Sequence, residues 1–186
     1  MTGDRRRRDD EYLVGAAQSG DGSAFAALVR RWHKRLVAHA WRLTGTREAA
    51  EDAVQAGWVD IVRALPALRD ERVFPAWAFR IVTRRALKAI AARKKDSIAF
   101  PCEHEEVVRA VSIAGDNSGE LVVDRQDLRR AIAALSPAHR AALALHYFEE
   151  LSIAEIAVAL DAPVGTIKTR LMHARLQLRR NFEGAE

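Results

Sequence analysis

A chain of 186 residues has room for one domain or two small ones, and its 49% apolar and 30% charged residues strike a globular balance that excludes wholesale disorder. No stretch approaches the ~18 unbroken apolar residues of a membrane span, and no apolar run follows the arginines of MTGDRRRRDD as a secretory signal would require. A single cysteine, Cys102, excludes an internal disulfide framework and suits a reducing cytoplasm.

The net charge of +5 leans toward a polyanionic partner, and it is unevenly spread. Residues 1–95 hold 20 Lys and Arg against 11 Asp and Glu, a net of +9. Residues 96–123 hold one Arg and six acids, a net of −5, and residues 124–186 hold nine bases and eight acids. The acidic stretch also carries a Gly-Asp-Asn-Ser-Gly turn cluster, which marks a linker. At about 28 residues it is long for a compact domain and favours two separate modules. The expected architecture is therefore all-α: an arm over 1–21, a helical domain over 22–95, a flexible acidic linker over 96–123, and a second helical domain over 124–182. Modules of this size bury little core each, so both are expected to lean on a partner.

In the first module, Phe25, Leu28, Val29, Trp32, Leu36, Ala40 and Leu43 recur at helical steps, and Gly45 follows as a stop. Thr46 can cap the next helix, with Glu48 in its first turn. Its apolar stripe is Ala50, Ala53, Val54, Gly57, Trp58, Ile61, Val62 and Leu65, closed by Pro66; Glu51, Asp52, Gln55 and Arg63 lie opposite. Gly57 costs this helix about 1 kcal/mol relative to alanine, which points to close helix packing or to an altered partner contact. A third helix runs from Phe74–Pro75 to about Lys95. Trp77, Arg80, Arg84 and Lys88 share one of its faces, flanked by Phe79 and Arg85, with Arg93, Lys94 and Lys95 at its end. Rings among cations suit single-stranded nucleic acid, stacking bases while holding phosphates. The plain alternative is a solvated basic helix with Trp77 in the core.

The second module carries the sharper signal. Ser136 caps a helix with Pro137 at its first position. Ser152-Ile153-Ala154-Glu155 is a capping box, followed by the apolar face Ile153, Ile156, Ala157 and Leu160. Asp161-Ala162-Pro163 breaks that helix, and Val164, Ile167, Leu171, Ala174 and Leu178 face inward from the next. Two short helices joined by a three-residue turn describe a helix-turn-helix. Gly165, Lys168, Thr169, Met172 and His173 form the outward face of its second helix, with Thr166 and Arg170 beside it. That composition lets the backbone approach phosphates while longer side chains reach base edges in the major groove. An incidental basic face on a small bundle is the plain alternative.

The stretch LSPAHRAALALHYFEELSIAEIAVALDAPVGTIKTRLMHARLQLRR resembles region 4 of the extracytoplasmic-function (ECF, group IV) RNA polymerase sigma factors, most specifically in Pro163–Leu171. AFAALVRRW, REAAEDAVQ and VFPAWAFRI resemble the three helices of region 2, in the right order. The resemblance covers about residues 20–95 and 124–182. It implies a stress-response transcription factor that binds core RNA polymerase, through the β′ clamp helices and the β flap, and directs it to promoters. An anti-sigma factor would hold it inactive. Asp52 and Gln55 match the clamp-facing positions. Trp77, Phe79 and Arg80 match the segment that opens the downstream element, with Arg84 and Lys88 further along. Asp70–Val73 matches a loop that receives a flipped base. Lys168, Thr169, Met172 and His173 match readers of the upstream element, with Arg170 and Arg175 as phosphate contacts and Thr166 beside them. Arg84 stands where many members have Asn, and Lys88 where they have an acid or amide, so the family's downstream preference does not carry over.

Catalysis finds little support: GxGxxG, GxxxxGK[ST] and HExxH are all absent. None of His33, His39, His104, His139, His146 and His173 has metal-ligand spacing to a second strong ligand, and Cys102-Glu103-His104 lies in the acidic stretch. Neither an enzyme nor a cofactor is expected, and the chain is not expected to bind a membrane by itself. Two readings from other classes stay open. One is a plain helix-turn-helix regulator that binds a palindromic duplex as a dimer. The other is a sigma-like decoy that sequesters an anti-sigma factor, although Arg80, Arg84, Lys168 and Arg170 are cations a decoy could have lost.

Overall fold

The computed structural model describes residues 2–99 and 125–183, with side chains over 7–93 and 127–182. Among the described residues the chain is all helical, in the order α1 (Thr2–Gln18), α2 (Gly22–Thr44), α3 (Arg47–Ala64), α4 (Phe74–Ala99), α5 (Arg125–Ala133), α6 (Pro137–Tyr147), α7 (Ile153–Ala159) and α8 (Val164–Glu183). Short 3₁₀ turns at Leu65–Ala67 and Glu71–Val73 join α3 to α4. Of the expected linker, residues 96–99 instead continue α4, because no helix breaker stands before Pro101, and the remainder, with Cys102-Glu103-His104, lies outside the described residues, as do the side chains of Lys94 and Lys95.

The helix limits follow local chemistry. The Asp21 carboxylate accepts from the amides of Ser23 and Ala24 at the start of α2. Gly45 ends it at φ 78°, a left-handed conformation that favours glycine. Thr46 caps α3, and Ser136 caps α6 with Pro137 in its first turn. Ser152 and Glu155 close a reciprocal capping box on α7. Asp161 (φ 50°), in the turn between α7 and α8, adopts the left-handed conformation that Asp tolerates better than most residues.

Two expectations about the first module change. Residues 1–21 are not simply an arm: α1 packs on α2, and Val14 is fully buried in the core. Asp10, also buried, accepts from Trp32 Nε1 at 3.2 Å and pairs with Arg31 at 2.9 Å. Val62 is half exposed rather than inward, because one residue beyond the buried Ile61 turns the helix by about 100°. Gly57 does mark close packing: a Cβ there would meet Val82 Cγ2 at 2.9 Å.

The separation of the modules changes more. One apolar cluster runs through both, joining Leu28, Trp32, Leu36, Phe74, Phe79 and Val82 to Ala142, Leu145, Leu151, Ile156, Ile167 and Leu171. A second joins Leu43, Ala53 and Ala86 to Ala141. The two small modules lean first on each other. Long connections cost little more than short ones in closure entropy, so chain length between modules does not keep them apart.

Candidate nucleic-acid interface

α8 is held by Ile167, Leu171 and Ala174, all buried, and Leu178 packs on a satellite cluster with Leu135 and Leu143. Val164, expected inward, is 43% exposed at the first turn, before the helix has met its support. This register turns Lys168, Thr169, Met172 and His173 into solvent, with Thr166 and Arg170 half-buried at the flank. Thr169 Oγ1 donates to the Gly165 carbonyl at 3.1 Å, which fixes its rotamer, and nothing stands within 4 Å of a Cβ built on Gly165. A backbone could approach there as closely as DNA phosphates require.

Two contacts behind this face are not evident from the helix alone. His139 on α6 stands edge-on to His173, with ring centroids 5.9 Å apart. Burial holds His139 below the usual imidazole range, and the nearby His173 and Arg170 push the same way. Arg175, expected on phosphate, donates from Nε to the Tyr147 hydroxyl at 2.8 Å and lies over that ring. It remains exposed, so the contact orients the guanidinium without hiding it.

α4 presents a second surface. Phe74, Ala78, Phe79, Val82 and Ala86 are fully buried. Phe79 is thus a core residue and not a base-stacking one: it packs edge-on against Trp32 at 6.1 Å and His39 at 5.1 Å. Two residues advance a helix by about 200°, so Phe79 cannot share the face of Trp77. Trp77 is half-buried and tilted against Phe74, with its remaining edge outward. Arg84 and Lys88 are exposed on the same face. Arg80 pairs with Asp161 at 2.8 Å, and Arg85 makes a two-pronged pair with Asp60, both bonds at 2.6 Å. In the loop before α4, Asp70 accepts from the amide and guanidinium of Arg72, which holds its carboxyl below the usual range.

Asp52 and Gln55 project from α3 into solvent, one turn apart, and the half-exposed Val59 and Val62 continue the stripe. His39 is buried in the core, bonded through Nε2 to Thr83 Oγ1 at 2.9 Å, and its pKa is lowered by burial to about 3. Among the described residues no three His, Cys, Asp or Glu side chains gather to hold a metal ion, and no helix is long and apolar enough to cross a membrane.

Comparison with known proteins matches residues 28–96 to sigma-70 region 2 and residues 125–178 to sigma-70 region 4. The chain is 30% identical over 173 residues to the ECF RNA polymerase sigma-E factor of Escherichia coli, covering 89% of this chain and 90% of that one. It is 28% identical over 176 residues to the RNA polymerase sigma-H factor of Pseudomonas aeruginosa, 91% of each chain. Among solved structures, CnrH in complex with the cytosolic domain of CnrY shares the fold at TM-score 0.69 and 22% identity, over 96% of this chain and 99% of that one. The sigma factor RpoE in complex with the anti-sigma factor NepR, from Bartonella quintana, shares it at 0.69 and 24%, over 87% and 98%.

Proposed function

The chain belongs to the ECF RNA polymerase sigma-factor family, and from that premise we propose how its own residues divide the work of promoter-directed initiation. Asp52 and Gln55 face the clamp helices of the β′ subunit, and residues 124–182 lie against the β flap. Trp77, with Arg80, Arg84 and Lys88, stacks and holds the opened strand of the downstream element. Lys168, Thr169, Met172 and His173 read the upstream element in the major groove, while Thr166, Arg170 and Arg175 contact its backbone. The observation that carries this reading is the register of α8, which buries Ile167, Leu171 and Ala174 and leaves its polar face open.

Silencing by an anti-sigma factor belongs to the same proposal, since RpoE is known bound to one. A segment inserted between the modules would have to replace their shared apolar cluster, so it competes with that packing. The deciding experiment is binding and transcription with purified core polymerase. Asp52→Arg is expected to weaken capture of the core enzyme while the circular dichroism and melting of the protein stay unchanged. Undiminished capture would show that α3 is not the clamp-facing helix.

A further inference from the structure

Among the described residues, four ion pairs across the modules share one polarity: the cation belongs to the first module and the carboxylate to the second. Arg7 pairs with Glu155 at 3.1 Å, Arg80 with Asp161 at 2.8 Å, and Arg35 and Arg42 both with Glu149 at 3.1 and 3.0 Å. Glu149 is the centre of this set. It is 5% exposed, in the turn between α6 and α7, and its backbone carbonyl also accepts from Arg35 at 3.3 Å. Its neighbour Phe148 lies under the Arg42 guanidinium, 4.2 Å from atom to ring centroid. On the other side Glu150, exposed, takes φ 56°, a left-handed conformation costly for a residue other than glycine. The turn thus sets the buried Glu149 carboxylate between two arginines of α2, with Phe148, half exposed, laid against one of them.

We propose that this chain is its own partner at the Arg35–Arg42 surface: Phe148 and Glu149 plug it, hold the unengaged protein closed, and must be withdrawn for promoter engagement. The inference rests on the sigma-factor reading for its consequence. The two elements occupy separate places along a duplex that advances about 3.4 Å per base pair. Modules that share one apolar cluster cannot read both at once. Closure also takes Arg80 off the face that would hold DNA, by giving it to Asp161. A desolvated ion pair roughly breaks even against water, so the arginine pair sets the register of closure and the apolar cluster supplies most of its strength. That balance suits an equilibrium that a partner can reverse.

The test uses full-length protein, free and with core polymerase. X-ray scattering on the free wild type should give a radius of gyration near the ~16 Å of a compact chain of this length. Glu149→Lys places a cation against two arginines and should expand the protein while each module keeps its helical signal. It should also bind core polymerase about tenfold more tightly, the gain expected if the closed form outweighs the open one about ten to one. The swapped pair Glu149→Arg with Arg42→Glu should restore compactness, which mere misfolding of the single variant would not allow. A wild type that is already expanded, or a Glu149→Lys protein with wild-type dimensions, overturns the plug. If no variant binds polymerase, the sigma-factor reading fails, while the scattering still decides whether the plug closes the chain.

Discussion

α4 and α8 both carry cations on an outward face that we propose meets DNA, yet they are built on opposite plans. α4 is a core helix first: Phe74, Ala78, Phe79, Val82 and Ala86 are fully buried along one side, and Arg80 and Arg85 on the other are engaged by Asp161 and Asp60. α8 is an exposed helix first, seated on three buried residues, with Lys168, Thr169, Met172 and His173 in solvent. Substitutions in α4 should therefore damage fold and promoter opening together, whereas substitutions on α8 should separate them. A side chain that stacks on its own core has little freedom left for a base, while one that stands in water loses only hydration on binding.

The strongest way to break this contrast is at Phe79. Phe79→Ala removes a ring packed on Trp32 and His39 and should cost about 3–5 kcal/mol of stability, read as a shift in the urea midpoint. Trp77→Ala, two residues earlier, should cost clearly less and impair promoter opening in a permanganate footprint. Equal stability losses would mean that the two faces of α4 are not distinct.

Acid should destabilise the core of the first module through His39. His39 is neutral in the fold, with a pKa lowered from 6.5 to about 3, so the unfolded chain takes up the proton first. Its contribution is intact above 6.5 and is lost as pH falls from there toward 3, at up to about 1.4 kcal/mol per pH unit. Denaturant midpoints at pH 7 and pH 5 should fall more steeply for wild type than for His39→Leu; parallel slopes would contradict this assignment of the acid sensitivity.

On α8 the expected losses are in discrimination. Lys168→Ala should cost about 1–3 kcal/mol at one base pair of the upstream element and change the ranking of a promoter library in transcription with core polymerase. Arg175→Ala should weaken all promoters alike and lower the salt slope of binding by about one. An unchanged ranking with Lys168→Ala would remove the central reader from the recognition helix. The smallest effect sharpens the comparison at two glycines. Gly165→Ala meets open space on α8 and should leave stability within about 1 kcal/mol, whereas Gly57→Ala drives a Cβ against Val82 and should destabilise despite its better helix propensity.

Most of the helix limits and the outward face of α8 were legible in the sequence, because caps, breakers and helical periodicity act over a few residues. Gly45, Thr46, Ser136, Pro137 and the Ser152–Glu155 box each perform locally what their chemistry requires. So do Asp52 and Gln55, one turn apart on a polar face. What the sequence could not determine was which surfaces meet. Phe79 read as an aromatic beside a basic stripe, and only the arrival of α2, with Trp32 and His39, made it core. The arm became a packed helix because Val14 finds the same cluster. The long acidic stretch suggested independent modules, but Leu145, Ile156 and Ile167 complete the apolar cluster of the first module, and Glu149 is buried between arginines more than 100 positions away in sequence. Local preference is set by neighbours in the chain, whereas burial is set by whichever apolar face a partner helix happens to cover, and that is decided only in the tertiary structure.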